Sequence, residues 1–175
     1  ETALKDEIIS GQLQPGAIVS IADLAGQFGT SVTPVRDAIH RLSALGFVKI
    51  LPRKEIRVER LDEQKLRDIY EIRTALESVA IRATTKKIKD ADLERAWVTL
   101  CAAEAKFVDS RKTEDLLPQD SLIHDLVVQH CANEMLITLM RGFHDLGRWA
   151  QQTVIRQEPH ALVLALPEHK QILSA

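Results

Sequence analysis

The stretch Ser31-Val32-Thr33-Pro34-Val35-Arg36-Asp37-Ala38-Ile39-His40-Arg41-Leu42-Ser43-Ala44-Leu45-Gly46-Phe47-Val48 decides how the rest of the chain reads. Val35, Ala38, Ile39, Leu42 and Leu45 recur at helical spacing and predict one apolar face. Thr33, Arg36, Asp37 and His40 fall on the other. Ser31 or Thr33 can cap the helix start, since a hydroxyl accepts a bond from a first-turn N–H. Pro34 is tolerated in a first turn, where its missing donor is not needed. Gly46 supplies a left-handed stop, and a strand follows it. The helix therefore shows Ser31, Thr33, Arg36 and His40 to solvent near its N-terminus. A helix lying in a DNA major groove needs such groups at that end. A surface helix of any small domain shares this pattern, so the neighbouring segments decide.

Upstream, Ile21–Phe28 reads as a short helix with Leu24, Ala25 and Phe28 apolar. Ser20 and Asp23 form an S-x-x-D start signal. Gly29 closes a tight turn into Ser31, which completes a helix-turn-helix unit. Further back, Thr2–Ser10 is a helix that ends at Gly11, and Gln14-Pro15-Gly16 is a turn. Downstream, Phe47–Leu51 and Ile56–Val58 are strand candidates joined by Pro52-Arg53-Lys54-Glu55. Three helices and a basic hairpin make a winged helix. Its wing would lay Arg53, Lys54 and Arg57 near phosphates or a minor groove.

The net charge of −2 argues weakly against a nucleic-acid partner, but the average hides an asymmetry. Residues 31–60 are net +4 and residues 61–175 are net −3. The positive charge surrounds the helix-turn-helix candidate, as an electrostatic footprint should. No apolar run approaches the ~20 residues that span a bilayer. No signal-peptide pattern opens the chain. A cytoplasmic protein without a membrane partner is expected. Cys101 and Cys131 form no C-x-x-C arrangement and read as small buried hydrophobes.

From residue 61 onward the pattern is helical, with a single Pro between residues 61 and 158. Leu66, Ile69, Arg73, Leu76, Ala80 and Ala83 form one stripe. Leu93, Trp97, Leu100 and Phe107 form a second, after a start at Asp90. A third helix runs from Glu114 to Cys131. Asn133 caps a fourth, with Leu136, Leu139, Met140, Phe143, Ala150 and Val154 inward. Pro159 to Pro167 reads as an interruption, and His169 to Ala175 as the first turns of another helix. The domain boundary falls near Arg60–Asp62.

Two polar insertions break these stripes. Asp120 and His124 share the apolar face of the third helix with Leu116, Ile123, Val127 and Cys131. An i, i+4 pair projects side by side. A buried carboxylate beside a buried imidazole is costly unless both are satisfied. A direct Asp–His hydrogen bond would do this, and so would a divalent metal. His169 could add a ligand from another helix, with His144 a weaker candidate beside its stripe. Arg73 is the other insertion. Glu77, four residues on, offers an ion pair in the less favourable Arg-before-Glu order. Alternatively Arg73 faces a cavity and forks onto the carboxylate of a small molecule. No phosphate loop, G-x-S-x-G or H-E-x-x-H occurs. The rival to a DNA-binding protein is a metal-dependent hydrolase built on Asp120, His124 and His169, which would need an open coordination site and a general base.

Ile9-Ser10-Gly11-Gln12-Leu13-Gln14-Pro15-Gly16, Leu24-Ala25 and Ser31-Val32-Thr33-Pro34-Val35-Arg36-Asp37-Ala38-Ile39 together resemble the N-terminal motif of GntR-family bacterial transcription regulators. Tyr70-Glu71-Ile72-Arg73-Thr74-Ala75-Leu76-Glu77 resembles the opening of the all-helical FCD effector domain found in the FadR-like members. Asp120-Ser121-Leu122-Ile123-His124, Asn133 and Glu168-His169-Lys170-Gln171-Ile172-Leu173 resemble its metal-binding motifs. The resemblance implies a mainly α protein. Residues 1–60 would form a winged helix-turn-helix. Residues 61–175 would form an antiparallel helical bundle for effector, metal and dimerisation. It implies a homodimeric, non-enzymatic regulator on a palindromic double-stranded operator, with Arg36 reading bases and Thr33 beside it. It implies a divalent metal at Asp120, His124 and His169, zinc first and nickel or manganese next, and a small carboxylate effector beside it. The chain departs from the pattern at Val32, where the family usually has Arg, and at Lys54-Glu55, where the wing usually has Gly. The family's domain also continues past the position of Ala175 with a further His ligand, so a truncated C-terminus is expected.

Overall fold

In the computed structural model of the protein, helix α1 (Thr2–Ser10) opens the chain, buries Leu4, Ile8 and Ile9, and stops where Gly11 takes a left-handed φ of 78°. The structure describes residues 1–52, 55–85, 87–158 and 160–174, with the side chains at 114 and 117–121 outside that description. Strand β1 (Ile18–Val19) leads into α2 (Ile21–Gln27). The expected cap forms there: Ser20 Oγ accepts the Asp23 N–H at 3.0 Å and donates to the Asp23 carboxylate at 2.7 Å. Helix α3 (Val32–Ala44) comes next, then β2 (Val48–Ile50) and β3 (Ile56–Val58).

The chain divides into two units, one made of Glu1–Ile69 with Asp145–Gln152, the other of Tyr70–His144 with Thr153–Ala175. In the first, the sheet runs β1-β3-β2, antiparallel throughout. Ile18 pairs with Arg57, Lys49 with Arg57, and Ile50 with Ile56. The expected hairpin is thus joined by a third strand that a two-residue segment could not announce through alternation. It is tied in by the Gly16 N–H to Val58 C=O bond and by the Val58 N–H to Ala17 C=O bond, both 2.9 Å. Gly16 has φ 86°, a left-handed conformation that favours glycine, and a Cβ there would have to displace the Arg60 guanidinium, 2.6 Å away at Nε.

One apolar cluster joins α1, α2, α3 and the sheet through Ile8, Leu24, Ile39, Leu42, Phe47, Ile56 and Val58. Trp149 completes it, 1 % exposed and stacked on Phe47 with ring centroids 5.1 Å apart. Leu45, expected inward, is the α3 C-cap and is exposed, because the helical phase that buries Leu42 ends one residue before it.

The second unit is helical. It takes most of α4 (Glu63–Thr84), all of α5 (Asp90–Ser110), a 3-10 turn (Thr113–Leu116), α6 (Leu117–His130), the two ends of α7 (Glu134–Gln157), and α8 (Ala161–Ser174). Ala80, Val127, Cys131, Leu136 and Met140 make one core cluster. Leu116, Leu162 and Leu166 make another, with Phe107 against it. The stripes shift slightly from expectation. Trp97 and Leu139 are exposed, while Ala96 and Leu100, and Leu136 and Met140, are buried. The third helix begins at Leu117 rather than Glu114, behind the 3-10 turn.

The expected interruption from Pro159 to Pro167 is shorter than read: α7 ends at Gln157 and the next helix begins at Ala161. Helix α8 is continuous from Ala161 with Pro167 inside it. An interior Pro removes one hydrogen bond and costs about 3 kcal/mol. Burial of Leu162 and Leu166, in the turn that precedes Pro167, offsets it. Among the described residues no helix is long and apolar enough to cross a membrane.

Candidate functional site

Two sets of side chains, one in each unit, match the chemistry read from the sequence. In the first unit, α3 turns Val35, Ala38, Ile39 and Leu42 into the core. Its 3.6-residue period then puts Thr33, Arg36 and His40 outside. All three are exposed, as is Ser31 at the N-cap. Ser31 occupies the cap position with extended backbone (φ −81°, ψ 164°), yet its hydroxyl makes no cap bond. The expected cap is absent, and the hydroxyl and first-turn amides at this end of α3 remain available to an anion. Ser31, Thr33, Arg36 and His40 have no side-chain hydrogen bond or ion pair among the described residues. Arg41, one residue past His40, is instead paired with Glu1. On the wing, Arg57 is exposed between buried Ile56 and Val58. Arg53 and Lys54, read as wing contacts, lie outside the described residues.

In the second unit, α4 and α6 bring together a polar group inside the bundle. Arg73 Nε–H donates to Glu77 Oε1 at 2.8 Å, and His124 Nδ1–H donates to the same oxygen at 2.7 Å. All three side chains are about one-fifth exposed. The Arg73–Glu77 ion pair foreseen as one alternative is present. The two Nη atoms of Arg73 have no partner among the described residues. Burial pushes the Glu77 carboxyl up. The hydrogen bond and charge of His124, with the charge and hydrogen bond of Arg73, outweigh that and hold it below the usual glutamate range.

His169 on α8 is buried, and its ring meets that of His124 edge to face with centroids 6.4 Å apart. The helix that brings it there passes through Pro167. The Asp120 side chain lies outside the described residues. Among the described residues no group of three or more His, Cys, Asp or Glu is placed to hold a metal. Two neighbouring imidazoles are nonetheless donors of the type a divalent transition metal takes. Glu77 occupies Nδ1 of His124 and leaves Nε2 for a ligand bond. His144 is apart from this group, half-exposed and 3.9 Å from Asp125.

Sequence reasoning missed Glu77 as the partner of His124. Forty-seven positions separate them, and Glu77 already had a sufficient partner in Arg73 within its own helix. It also missed His130, whose Nε2 lies 3.2 Å from Asp92 Oδ2, and Thr84, whose buried hydroxyl lies 2.9 Å from the Ala80 carbonyl and 3.0 Å from that of Val127. The helix phase of Thr84 could have shown its burial, but no local signal names its cross-helix acceptor.

Residues 1–58 match the family model for bacterial regulatory proteins of the gntR family, and residues 68–175 match that for the FCD domain. An HTH-type transcriptional repressor of Escherichia coli, GlaR, is 25 % identical over 163 residues, which is 89 % of this chain and 74 % of that protein. A probable D-xylose utilization operon transcriptional repressor of Paenarthrobacter nicotinovorans is 43 % identical over 142 residues, covering 81 % of this chain and 60 % of its own. Among solved structures, that of E. coli McbR/YncC superposes with a TM-score of 0.67 at 20 % identity. The match covers 99 % of this chain and 91 % of that one and shows a shared fold.

Proposed function

The chain belongs to the GntR family of bacterial regulatory proteins, with an FCD domain behind its helix-turn-helix, and from that premise we propose that a small organic acid bound beside a metal ion controls its hold on an operator. Its two domains and its relatives make it a DNA-binding transcriptional regulator rather than an enzyme. The metal-hydrolase alternative is therefore dropped.

In this proposal residues 1–60 read DNA and residues 61–175 hold the ligands and dimerise. Two copies of α3 enter successive major grooves of a palindromic operator, because protein two-fold symmetry maps onto half-site symmetry. Arg36 reads a base edge, most simply guanine O6 and N7 through its fork. Ser31, Thr33 and His40 contact phosphates or neighbouring bases, and Arg53, Lys54 and Arg57 serve the backbone from the wing. The site of action is the bacterial cytoplasm, where the operator is.

In the bundle, Asp120, His124 and His169 are the proposed ligands of a divalent metal, zinc first and nickel or manganese next. When bound, the ion supplies a Lewis-acidic anchor for one oxygen of a carboxylate. Arg73 meets the effector's other end with its Nη pair. One observation supports this most directly: Arg73, His124 and the buried His169 gather in the FCD unit, and a guanidinium with two imidazoles is the chemistry that would hold a carboxylate beside a divalent cation.

The test is operator selection from random DNA, followed by titration with a panel of small carboxylates. A carboxylate that changes operator affinity with zinc present, and loses that effect after chelation, supports the proposal. A regulator that responds equally with and without metal would confine the ion to a structural role.

A further inference from the structure

Glu77 does more than pair with Arg73. Its Oε1 is shared by two donors from two helices, Arg73 Nε on α4 and His124 Nδ1 on α6. An Arg–Glu pair in this order contributes little to a helix. Burying both partners to about one-fifth exposure adds a desolvation cost that such a pair does not repay alone. The cross-helix bond to His124 explains the burial. A neutral imidazole offers a lone pair on one nitrogen only, and a carboxylate at the other nitrogen decides which.

We infer that Glu77 is the positioning residue of the candidate metal site: it fixes His124 as the Nδ1–H tautomer, so that Nε2 is the ligand atom. Arg73 holds the carboxylate that does this, which links the proposed effector contact to the proposed metal ligand through one oxygen. This role for Glu77 rests on the proposed metal site in the bundle. Glu77 itself touches neither ion nor effector.

The experiment uses the full chain, stripped of metal, at about pH 8, above the ordinary imidazole pKa. Long-range proton–nitrogen NMR reports which ring nitrogen of His124 holds the proton. The wild type is expected in the Nδ1–H form. Glu77→Ala is expected to shift toward the Nε2–H form that free histidine prefers. Glu77→Gln, whose amide oxygen still accepts, is expected to keep Nδ1–H. Zinc affinity is then measured by competition with a chromophoric chelator. Loss of an outer-shell partner of a metal-bound His costs about 10–100-fold. Glu77→Ala should weaken zinc by that factor, and Glu77→Gln should recover most of it.

A wild-type His124 in the Nε2–H form overturns the role given to Glu77. So does zinc binding equally tight in wild type and Glu77→Ala, or a Glu77→Gln as weak as Ala. A wild type that takes the Nδ1–H form but binds no zinc overturns the metal reading instead. The tautomer readout thus separates the two failures.

Discussion

The two units put their polar chemistry on opposite sides of their apolar residues. In the first, one continuous cluster from Leu4 to Val58, with Trp149, fills the inside, and Arg36, His40 and Arg57 stand outside it. In the second, among the described residues, the apolar interior is split into two smaller clusters, and Arg73, Glu77, His124 and His169 are hidden or half-hidden. Both buried polar side chains among the described residues, Thr84 and His169, belong to this second unit. A unit that reads a large external polymer can keep a dry core and show its reading groups at the surface. If the second unit encloses a small charged ligand, as proposed, it must bring polar groups inside and accept a weaker core until the ligand arrives.

The largest expected effect tests whether the first core is as continuous as it looks. Trp149 is 1 % exposed and stacked on Phe47 at an interplanar angle of 22°. Trp149→Ala should cost about 3–5 kcal/mol, the usual range for truncating a buried Trp. The loss should register as a lowered urea midpoint of the transition followed through DNA-binding competence. A change under about 1 kcal/mol would mean that Asp145–Gln152 is accessory to that core.

Trp149 also marks the limit of what the sequence made legible. The helix-turn-helix was legible because its function is external: the period that buries Val35, Ile39 and Leu42 exposes Thr33, Arg36 and His40. The Ser20–Asp23 cap and the Gly11 stop were legible because they are local. Trp149 was not assigned to this core, since its partner Phe47 lies a hundred residues away and α7 has a single amphipathic stripe for both units. In the bundle, the anomalous positions Arg73 and His124 were legible as polar breaks in apolar stripes. Their shared acceptor was not, because a cross-helix contact has no period. Continuity of α8 through Pro167 was lost for a similar reason: the local rule for Pro was read without the packing of Leu162 and Leu166 that overrides it.

The next two effects sharpen the contrast between an inside and an outside site. If the bundle conceals an ion site, zinc at about 100 times its Kd should stabilise the protein by about 2.7 kcal/mol. His124→Ala should remove that gain while leaving operator selection by α3 intact. Differential scanning calorimetry with and without chelator measures the first, and selection from random DNA the second. Arg36→Ala should do the reverse. It should cost about 1–3 kcal/mol of operator binding and relax sequence preference. Its melting temperature should stay close to wild type, since Arg36 is exposed and has no protein partner among the described residues. An unchanged operator affinity would remove α3 as the reading helix.

The smallest effect asks whether the outside site is free of cost to the fold. Lys49 on β2 and Arg57 on β3 are directly opposed in the sheet register, and both are exposed. Like charges in that arrangement are destabilising, by roughly 0.2–1 kcal/mol for a cross-strand pair. Neither has a carboxylate partner among the described residues. Arg57→Gln and Lys49→Gln should therefore each raise the stability of the first unit by a few tenths of a kcal/mol, with the gain shrinking in high salt as the repulsion is screened. The double variant should gain less than the sum of the two, because either change alone already removes the pair. DNA binding separates the two residues. If Arg57 neutralises a phosphate from the wing, Arg57→Gln lowers the slope of log affinity against log salt by about 0.9. Lys49→Gln leaves that slope alone unless β2 also touches the backbone. Gains that add fully in the double variant would mean the two cations do not repel across the sheet. Each cation would then cost stability at its own position, and only an absence of gain in both single variants would make the outer face of the first unit neutral for folding.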